Sequence, residues 1–466
     1  MTSQYKSPWT GRAAAQTLSA LLALLLLAVA APLANAQQRR EREPNSVYAE
    51  RRAKLAAQVD GPIVLFGFTG REEAAQTYVF AQEENFYYLT GHNEEGAALL
   101  LLPVTGSTPR ETLYLPAKNT DKEKWNGTRL SPTDPDITEK TGCAVVKPFT
   151  ELRRDVEKLA AGYSGFRTIL PYKKDKEIGG YPHEEEWTSW LQAAAPQAKL
   201  GDVRGLIGEM RQIKSPGEIA FLTKAIELSL DAHFEAMRMM RPGLFEYQVA
   251  ARMEEVHALG GSEAEGYAPT VGAGFNSTVL HYDKLAKRIE PGDIAVLDVA
   301  AQYSGYSADI TRTLPADGKF TPRQREIYDV VLGAQDAALA ACRPGMTFGR
   351  EGPNSLFRIA YDYINAHGHD RHGERLGKYF IHGLGHHIGL DVHDAGAIFR
   401  PFEPGMVVTF EPGIYLPEEN LGVRIEDDVL VTATGCTLLS ARLPRRADDI
   451  EKIMAAAAKE RAARSN

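Results

Sequence analysis

The chain has 466 residues, a length that suits two ordinary domains, each with its own hydrophobic core. Apolar residues make up 44% and charged residues 24%, which describes a globular protein and excludes a disordered or fibrous one. The formal net charge is −8, and no basic region favours nucleic-acid binding.

The first 36 residues have the three parts of a secretory signal. Lys6 and Arg12 form a short basic region, the apolar run LSALLALLLLAVAA follows, and the small residues ANA end at Ala36. The apolar run is shorter than the roughly 20 residues that a membrane-spanning helix needs. We therefore expect cleavage after Ala36 and export to the periplasm or the medium, with no membrane span in the mature chain. An uncleaved membrane anchor is the alternative.

Residues 41–205 are predicted to form an α/β domain, because short apolar strands alternate with helical patterns. The predicted helices lie at 46–59 and 150–163. The predicted strands lie at 61–68, 85–91, 96–104, 111–117, 142–149 and 166–172.

A different pattern begins after residue 205. Pro216 stands at the start of a long helical pattern that stops at residues 241–243, Arg-Pro-Gly. Amphipathic helices and alternating strands then mix, so residues 206–446 are assigned to a second domain. The alanine-rich tail, residues 447–466, predicts an exposed terminal helix that frays.

The three cysteines, Cys143, Cys342 and Cys436, lie far apart in the sequence, and no C-x-x-C pair is present. Isolated cysteines of this kind are typical of small buried apolar side chains. An exported protein could also join two of them in a disulfide bond. The sequence leaves open whether any two cysteines are joined in this way.

Two aspartates lie in the stretch IAVLDVAAQYSGYSADITRTL, which predicts a hairpin that turns at residues 303–305. Asp298 and Asp309 are about equally far from the turn, which places them opposite or diagonally opposite on one face, roughly 5–8 Å apart. Buried carboxylates this close repel each other, and a metal ion between them removes the repulsion. Two solvent-exposed acids are the alternative, which fits the apolar run AVLDVA poorly.

Two glutamates add to this acidic set. Glu411 ends the apolar run GMVVTF before a Pro-Gly turn, and Glu426 shares one face of the strand GVRIEDDVLVT with Arg424. An arginine on the same face can orient carboxylates by hydrogen bonding. The acids therefore have the surroundings expected of metal ligands.

Four histidines fall within HGLGHHIGLDVHD, residues 382–394. His382 and His386 have the i, i+4 spacing of a zinc-protease helix, but the glutamate of that motif is missing and two glycines cost a helix about 2 kcal/mol. The segment is therefore predicted to be a glycine-rich turn. Four carboxylates and one imidazole balance two divalent cations and favour Mn²⁺, Co²⁺ or Fe²⁺. Such a pair of ions is suited to the hydrolysis of an acyl bond.

These residues resemble the pita-bread metallopeptidases, and among them aminopeptidase P. The similarity runs from ENFYYLTGHNEEGAALLL through HYDK, DITRT, HGLGHHIGLDVHD and EPGIY to RIEDD. It implies a mixed α/β (α+β) fold with a smaller N-terminal domain before a pita-bread catalytic domain. It also implies a metal-dependent exopeptidase that releases the first residue from peptides with proline in second position.

The resemblance implies a set of functional residues. Its metal ligands are Asp298, Asp309, His386, Glu411 and Glu426, which would hold two divalent ions, Mn²⁺ first, with Co²⁺, Fe²⁺ or Zn²⁺ as alternatives. Its catalytic set is His281, His382, His393, Glu411 and Arg424, and its substrate-binding set is His281, His382, His393 and Tyr415. In this scheme Glu411 accepts and returns the proton, and His281 and His393 stabilise the tetrahedral intermediate.

Several nearby residues have two interpretations. His387 follows the predicted ligand and is expected to line the pocket without binding metal. The three histidines between residues 367 and 372 are expected in a solvated loop and not in a second metal cluster. Tyr87 and Tyr88 could wall a pocket for the proline ring or belong to the ordinary core of a strand.

Three alternatives to aminopeptidase P share the same fold. Prolidase cleaves only Xaa-Pro dipeptides, and its histidine turn resembles this one almost equally well. A non-catalytic binding module is disfavoured because all five ligand positions are present, and creatinase is disfavoured because it lacks the acidic set. The resemblance also implies a homo-oligomer, a dimer or a tetramer.

Overall fold

The computed structural model describes residues 40–71, 79–104, 110–171 and 182–465. The predicted signal segment, residues 1–36, lies outside the described residues. Residues 42–466 form one compact unit. In the described part of the chain, no helix has the length and apolar character needed to cross a bilayer.

A six-stranded mixed sheet forms the centre of the N-terminal half. Its strands are β1 (Ile63–Phe66), β2 (Ala98–Leu101), β3 (Glu111–Leu115), β4 (Val146–Pro148), β5 (Gly165–Thr168) and β6 (Lys199–Asp202). The strand order is β4-β3-β2-β1-β5-β6. β1 pairs antiparallel with β2 and parallel with β5. Five of the six predicted strands are therefore confirmed, and β6 was not predicted.

Among the described residues this half contains seven α-helices, several of which cover the two faces of the sheet. They are α1 (Asn45–Ala56), α2 (Glu84–Thr90), α3 (Thr120–Asn126), α4 (Ile137–Thr141), α5 (Leu152–Ala160), α6 (Pro182–Ala194) and α7 (Arg204–Gln212). Ile63 and Leu65 of β1 face one apolar cluster, whereas Val64 and Phe66 face another that includes Trp187 of α6. This alternation buries the sheet on both sides, as an α/β layer requires.

The predicted strand at residues 85–91 is wrong, because this segment is helix α2. The Glu83 carboxylate accepts a hydrogen bond from the Phe86 amide at 2.6 Å, which caps the start of the helix. Gly91 has φ +61° and ends it in the left-handed conformation. Aromatic residues favour strands, but the run is buried on nearly every side, so periodicity could not separate the two structures.

Tyr87 and Tyr88 of α2 are core residues, with 3% and 4% of their surface exposed. The Tyr88 hydroxyl donates a hydrogen bond to the carbonyl of Met210 at 3.0 Å, and the Arg51 guanidinium lies 4.1 Å from its ring centroid. These contacts confirm the interpretation of the two tyrosines as core and leave them no surface for a proline ring.

The C-terminal half combines long helices with several small sheets. Its helices are α8 (Pro216–Met239), α9 (Glu246–Leu259), α10 (Pro322–Ala341), α11 (Leu356–His367) and α12 (Ala447–Ser465). Its strands are β7 (Ala264–Glu265), β8 (Thr270–Ala273), β9 (Ile294–Asp298), β10 (Ala301–Tyr303), β11 (Tyr306–Ser307), β12 (Thr311–Pro315), β13 (Val407–Phe410), β14 (Gly413–Leu416), β15 (Leu421–Arg424), β16 (Asp427–Val431) and β17 (Cys436–Leu438). The sheets have the orders β11-β10-β7, β12-β9-β8, β13-β16-β17 and β14-β15.

Helix α8 begins where the sequence predicted. The Ser215 hydroxyl accepts a hydrogen bond from the Glu218 amide at 3.1 Å, and the Glu218 carboxylate accepts one from the Ser215 amide at 2.8 Å. Pro216 occupies the first helical turn, where its missing N–H has no cost. The helix ends at Met239, just before the predicted stop.

Helix α12 differs from its prediction in exposure. The tail is helical, but Ile450 and Met454 have 0% and 2% of their surface exposed and belong to the main apolar core. The expectation of an exposed helix is therefore wrong for one face only, because alanines and charged residues conceal a narrow apolar stripe in the sequence.

A buried ion pair joins β12 to β16. Arg312 and Asp427 have fully buried side chains, and the Arg312 Nη2 donates to Asp427 Oδ1 at 2.7 Å. The Arg312 Nη1 also donates to the carbonyls of Thr311 and Glu426 at 2.9 and 2.7 Å. The Arg312 guanidinium therefore fixes the position of strand β12 relative to strand β16.

We predict that Arg312→Ala lowers the free energy of unfolding by about 3–5 kcal/mol, because the buried Asp427 carboxylate loses its nearest cation and is left with Arg445, whose Nε lies 3.9 Å away. The matched control is Arg325→Ala, which removes partly exposed ion pairs with Asp329 and Asp448 and should cost less than about 1 kcal/mol. Equilibrium urea unfolding measures both values. Equal effects of the two substitutions would contradict the assignment.

Candidate metal centre

The two aspartates lie on a β-hairpin that turns at Ser304 and Gly305. Both turn residues have positive φ, +52° and +82°, as a two-residue turn between twisted strands requires. Asp298 pairs directly with Thr311, two residues beyond Asp309. The aspartates are therefore diagonal neighbours, as predicted. They are 9% and 5% exposed, so the alternative of solvent-exposed acids is wrong.

Asp298 is held by two donors. The Tyr267 hydroxyl donates to Oδ1 at 2.5 Å, and Arg424 Nη2 donates to Oδ2 at 2.6 Å. Burial still raises the pKa of Asp298 above its usual value, and the charge of Asp309 adds to the increase. The pair of donors fixes the carboxylate, but it does not neutralise the charge of the cluster.

Glu426 joins the aspartates through Thr311. The backbones of the two residues form a β-bridge, and the Thr311 hydroxyl donates to Glu426 Oε2 at 2.7 Å. Arg424 Nε donates in turn to the same hydroxyl at 3.2 Å, so Arg424 and Glu426 act on one side of the chain, as predicted. Burial raises the pKa of Glu426 well above its usual value, and the charges of Asp309 and Glu411 add to the increase.

The histidine turn is irregular, as the glycines predicted, and it aims one imidazole at the acids. A Cβ on Gly385 would lie 2.1 Å from the carbonyl oxygen of Thr409, so this close approach requires glycine. His386 Nδ1 lies 3.0 Å from the carbonyl oxygen of His387, which favours a proton on that nitrogen. The other nitrogen, Nε2, is then free to act as a ligand and lies 3.3 Å from Asp309 Oδ2.

The geometry of these side chains fits a metal site. Asp309, His386 and Glu426 each place a ligand atom within 4.8 Å of the others. Glu411 Oε1 lies 3.6 Å from His386 Nε2, and burial raises the pKa of Glu411 to about 7. Several buried carboxylates raise one another's pKa in this way when no cation balances them. The donor set therefore fits divalent cations that prefer oxygen ligands with one imidazole.

A chain of hydrogen bonds connects Asp298 to His382, one of the predicted substrate-binding residues. Arg424 Nη1 donates to the Tyr415 hydroxyl at 3.0 Å, and that hydroxyl lies 2.8 Å from His382 Nε2. Burial lowers the pKa of His382 to about 3, and the charge of Arg424 adds to the decrease, so the imidazole is neutral. Its Nδ1 lies 3.6 Å from Glu411 Oε2.

The two other predicted substrate histidines lie at the opening of the site. The His393 ring is exposed and lies 4.4 Å from the His386 ring, edge to face. His281 is exposed and lies near enough to lower the pKa of both His382 and His393. A cavity of about 310 Å³ opens beside His393, and its walls include Glu84 of the N-terminal half.

Comparison with known proteins covers both halves of the chain. Residues 220–433 match metallopeptidase family M24, and residues 48–168 match the aminopeptidase P N-terminal domain. The Xaa-Pro aminopeptidase of Escherichia coli is 33% identical over 445 residues, which is 89% of this chain and 98% of that protein. The chain belongs to the aminopeptidase P family.

Two further relatives bear on the fold and on the prolidase alternative. The solved proline aminopeptidase P II of Yersinia pestis superposes with a TM-score of 0.77 at 32% identity, over 89% of this chain and all of that one. The Xaa-Pro dipeptidase of Pyrococcus furiosus is 39% identical over 378 residues, 79% of this chain and 94% of that protein. The expected fold is confirmed: an α/β N-terminal domain is followed in sequence by a pita-bread catalytic domain.

The remaining histidines of this aminopeptidase P family member lie outside the acidic cluster. His387 is 3% exposed, its backbone bridges Val408, and its side chain is absent from the group that could hold a metal. The histidines between residues 367 and 372 are exposed, and His372 Nε2 lies 3.0 Å from Glu418 Oε2. The solvated loop is confirmed for His369 and His372, whereas His367 is the last residue of helix α11.

Four supporting residues were missed from the sequence. They are Tyr267, Thr311, Thr409 and Asp428, which bond to Asp298, Glu426, His386 and the Asp309 amide respectively. Thr311 carried a weak signal, because it follows Asp309 at i+2 and so shares its face. Tyr267 lies outside every motif, and only the folded chain brings it to the cluster.

Helix α8 supports the hairpin from behind. The Ser229 hydroxyl accepts a hydrogen bond from the Ala301 amide at 2.9 Å. His233 Nε2 lies 3.1 Å from the carbonyl oxygens of both Val299 and Ile310, the residues that follow Asp298 and Asp309. These contacts hold the backbone where both aspartates project. In the sequence, two polar residues on a helical pattern gave no sign of this role.

We predict that Thr311→Val weakens Mn²⁺ binding by about 10- to 100-fold while the protein stays folded, because Glu426 and Arg424 lose the hydroxyl between them. Thr313→Val is the matched control, since its hydroxyl, on the same strand and equally buried, contacts only the backbone of Arg424. Isothermal titration of the metal-free proteins measures both affinities. Equal affinities in the two variants would contradict the role of Thr311.

Proposed function

We propose that this protein is an Xaa-Pro aminopeptidase, which hydrolyses the bond before a proline in second position and releases the first residue. The observation that carries the proposal is the acidic cluster with its single imidazole, inside a chain that matches the aminopeptidase P family in both halves. Aminopeptidase P is favoured over prolidase because the similarity to the E. coli enzyme spans 98% of that protein and the N-terminal domain matches.

The proposed cofactor is a pair of divalent metal ions, Mn²⁺ first, with Co²⁺, Fe²⁺ or Zn²⁺ as alternatives. The proposed ligands are Asp298, Asp309, His386, Glu411 and Glu426. When bound, the ions would polarise the scissile carbonyl and make water a nucleophile at neutral pH. Mn²⁺ is favoured because four carboxylates and one imidazole form a hard, oxygen-rich donor set.

The side chains around the cluster suggest how the protein handles substrate. Glu411 lies between His386 and His382, so its carboxylate can take a proton from water and pass it to the departing nitrogen. A proline nitrogen is tertiary in the peptide and must receive a proton to leave. We assign His281 and His393, at the opening, to hold the substrate carbonyl.

We propose export, because the basic, apolar and small-residue parts of residues 1–36 follow the order of a secretory signal. Sequencing the N-terminus of protein recovered from the periplasm or medium should give Gln37 first.

A homo-oligomer, either dimer or tetramer, is also proposed. It is supported by helix α3, which has no buried residue and leaves Trp125 88% exposed. Light scattering of the purified chain tests it, and a monomer would contradict it.

The function is tested with the chain from Gln37, stripped of metal and reloaded with Mn²⁺. We expect release of the first residue from an Xaa-Pro-Yaa tripeptide, little cleavage of the matched Xaa-Ala-Yaa tripeptide, and loss of activity when the metal is removed. Glu411→Gln should lower kcat at least 100-fold, since it removes the proton carrier. Mass spectrometry identifies the products.

Cleavage of an Xaa-Pro dipeptide alone would establish the prolidase alternative instead. If no proline peptide were cleaved although metal was bound, the proposal would be overturned. The Thr313→Val variant serves as the active control, because its side chain contacts no predicted ligand.

A further inference from the structure

Two of the three cysteines, distant in sequence, meet at one corner of the C-terminal half. Cys342 directly follows helix α10, and Cys436 begins strand β17 at the edge of the β13-β16-β17 sheet. The Cys342 amide donates to the carbonyl of Leu339 at 3.1 Å, and the Cys436 thiol lies 3.6 Å from the same oxygen. The backbones are close as well, since a Cβ built on Gly435, the residue before Cys436, would lie 3.8 Å from the carbonyl oxygen of Cys342.

The two thiols have unequal surroundings that suit a directed reaction. Cys342 is 4% exposed, whereas Cys436 is partly exposed. Cys436 is therefore the thiol that a reagent in solution can reach. Cys143 is buried elsewhere in the N-terminal core and has no cysteine beside it among the described residues.

We propose that Cys342 and Cys436 form an intramolecular disulfide when the folded chain meets an oxidising disulfide, either a small molecule or a thiol–disulfide oxidoreductase. The Cys436 thiolate attacks one sulfur of the reagent, which forms a mixed disulfide and releases one thiol. Cys342 then loses its proton, and its sulfur attacks Cys436 Sγ and releases the second thiol. The chain loses two hydrogens, and the reagent is reduced to two thiols.

The cross-link would enclose the segment that carries three of the five proposed metal ligands. Residues 342–436 contain three proposed ligands, His386, Glu411 and Glu426. Strand β17 pairs with β16, where Val431 lies opposite Cys436. The disulfide would tie the end of α10 to this sheet and close a long loop in the unfolded chain. The expected result is a melting temperature higher by about 5 °C. The proposal does not depend on which peptide is cleaved.

The test incubates the folded mature chain with glutathione disulfide and reads intact mass, free thiols and a non-reduced peptide map. We expect a mass lower by two hydrogens, one remaining thiol of the three, and a peptide that joins Cys342 to Cys436. Cys143→Ser is the matched control and should form the same cross-link. Cys342→Ser should instead keep a glutathione adduct on Cys436. The oxidised wild-type protein should melt higher than the reduced one.

Three results would overturn the proposal. One is three free thiols after prolonged oxidation of the folded chain. Another is a stable glutathione adduct on Cys436 in the wild-type protein, since Cys342 would then be out of reach. The third is a cross-link that includes Cys143. If the serine variants do not fold, the peptide map of the wild-type chain decides alone.

Discussion

The mutual repulsion of buried carboxylates is the constraint on which the C-terminal half is built. Asp298, Asp309 and Glu426 are at most 9% exposed. Glu411, which directly follows strand β13, adds a fourth carboxylate, and its charge raises the pKa of Glu426 further. Burying such acids together costs free energy unless cations balance them. This free-energy cost distinguishes a buried metal centre from a scattered set of surface acids, because exposed carboxylates are stabilised by water and need no cation.

The surrounding elements hold this cluster in place without neutralising it. Arg424 contributes one positive charge and reaches Asp298, Thr311 and Tyr415 at once. The fully buried Arg312–Asp427 pair fixes the strands from which Thr311 and Glu426 project. The side chains that make these contacts lie on paired strands. The fold therefore sets the positions of the ligands before any ion binds.

The sequence predicted the parts of the site that depend on short-range order. The hairpin, its turn and the diagonal aspartates follow from the alternation of apolar and polar residues and from Ser304-Gly305 at the centre. The glycines within residues 382–394 predicted that the histidine segment is an irregular turn. Segment 85–91 could not be predicted correctly, because a fully buried aromatic run has the same appearance in a strand and in a helix. Tyr267 and His233 could not be found either, since only tertiary packing brings them to the aspartates.

The proposed centre has five ligands, Asp298, Asp309, His386, Glu411 and Glu426, which together would bind two divalent ions. The most direct measurement is the metal content of the chain after loading with Mn²⁺ and dialysis, by elemental analysis, for the wild type and for Asp309→Ala. We expect two ions per wild-type chain and one or none in the variant, because Asp309 lies beside both His386 and Glu426. A wild-type chain that keeps no metal, or a variant that keeps two ions, would contradict it.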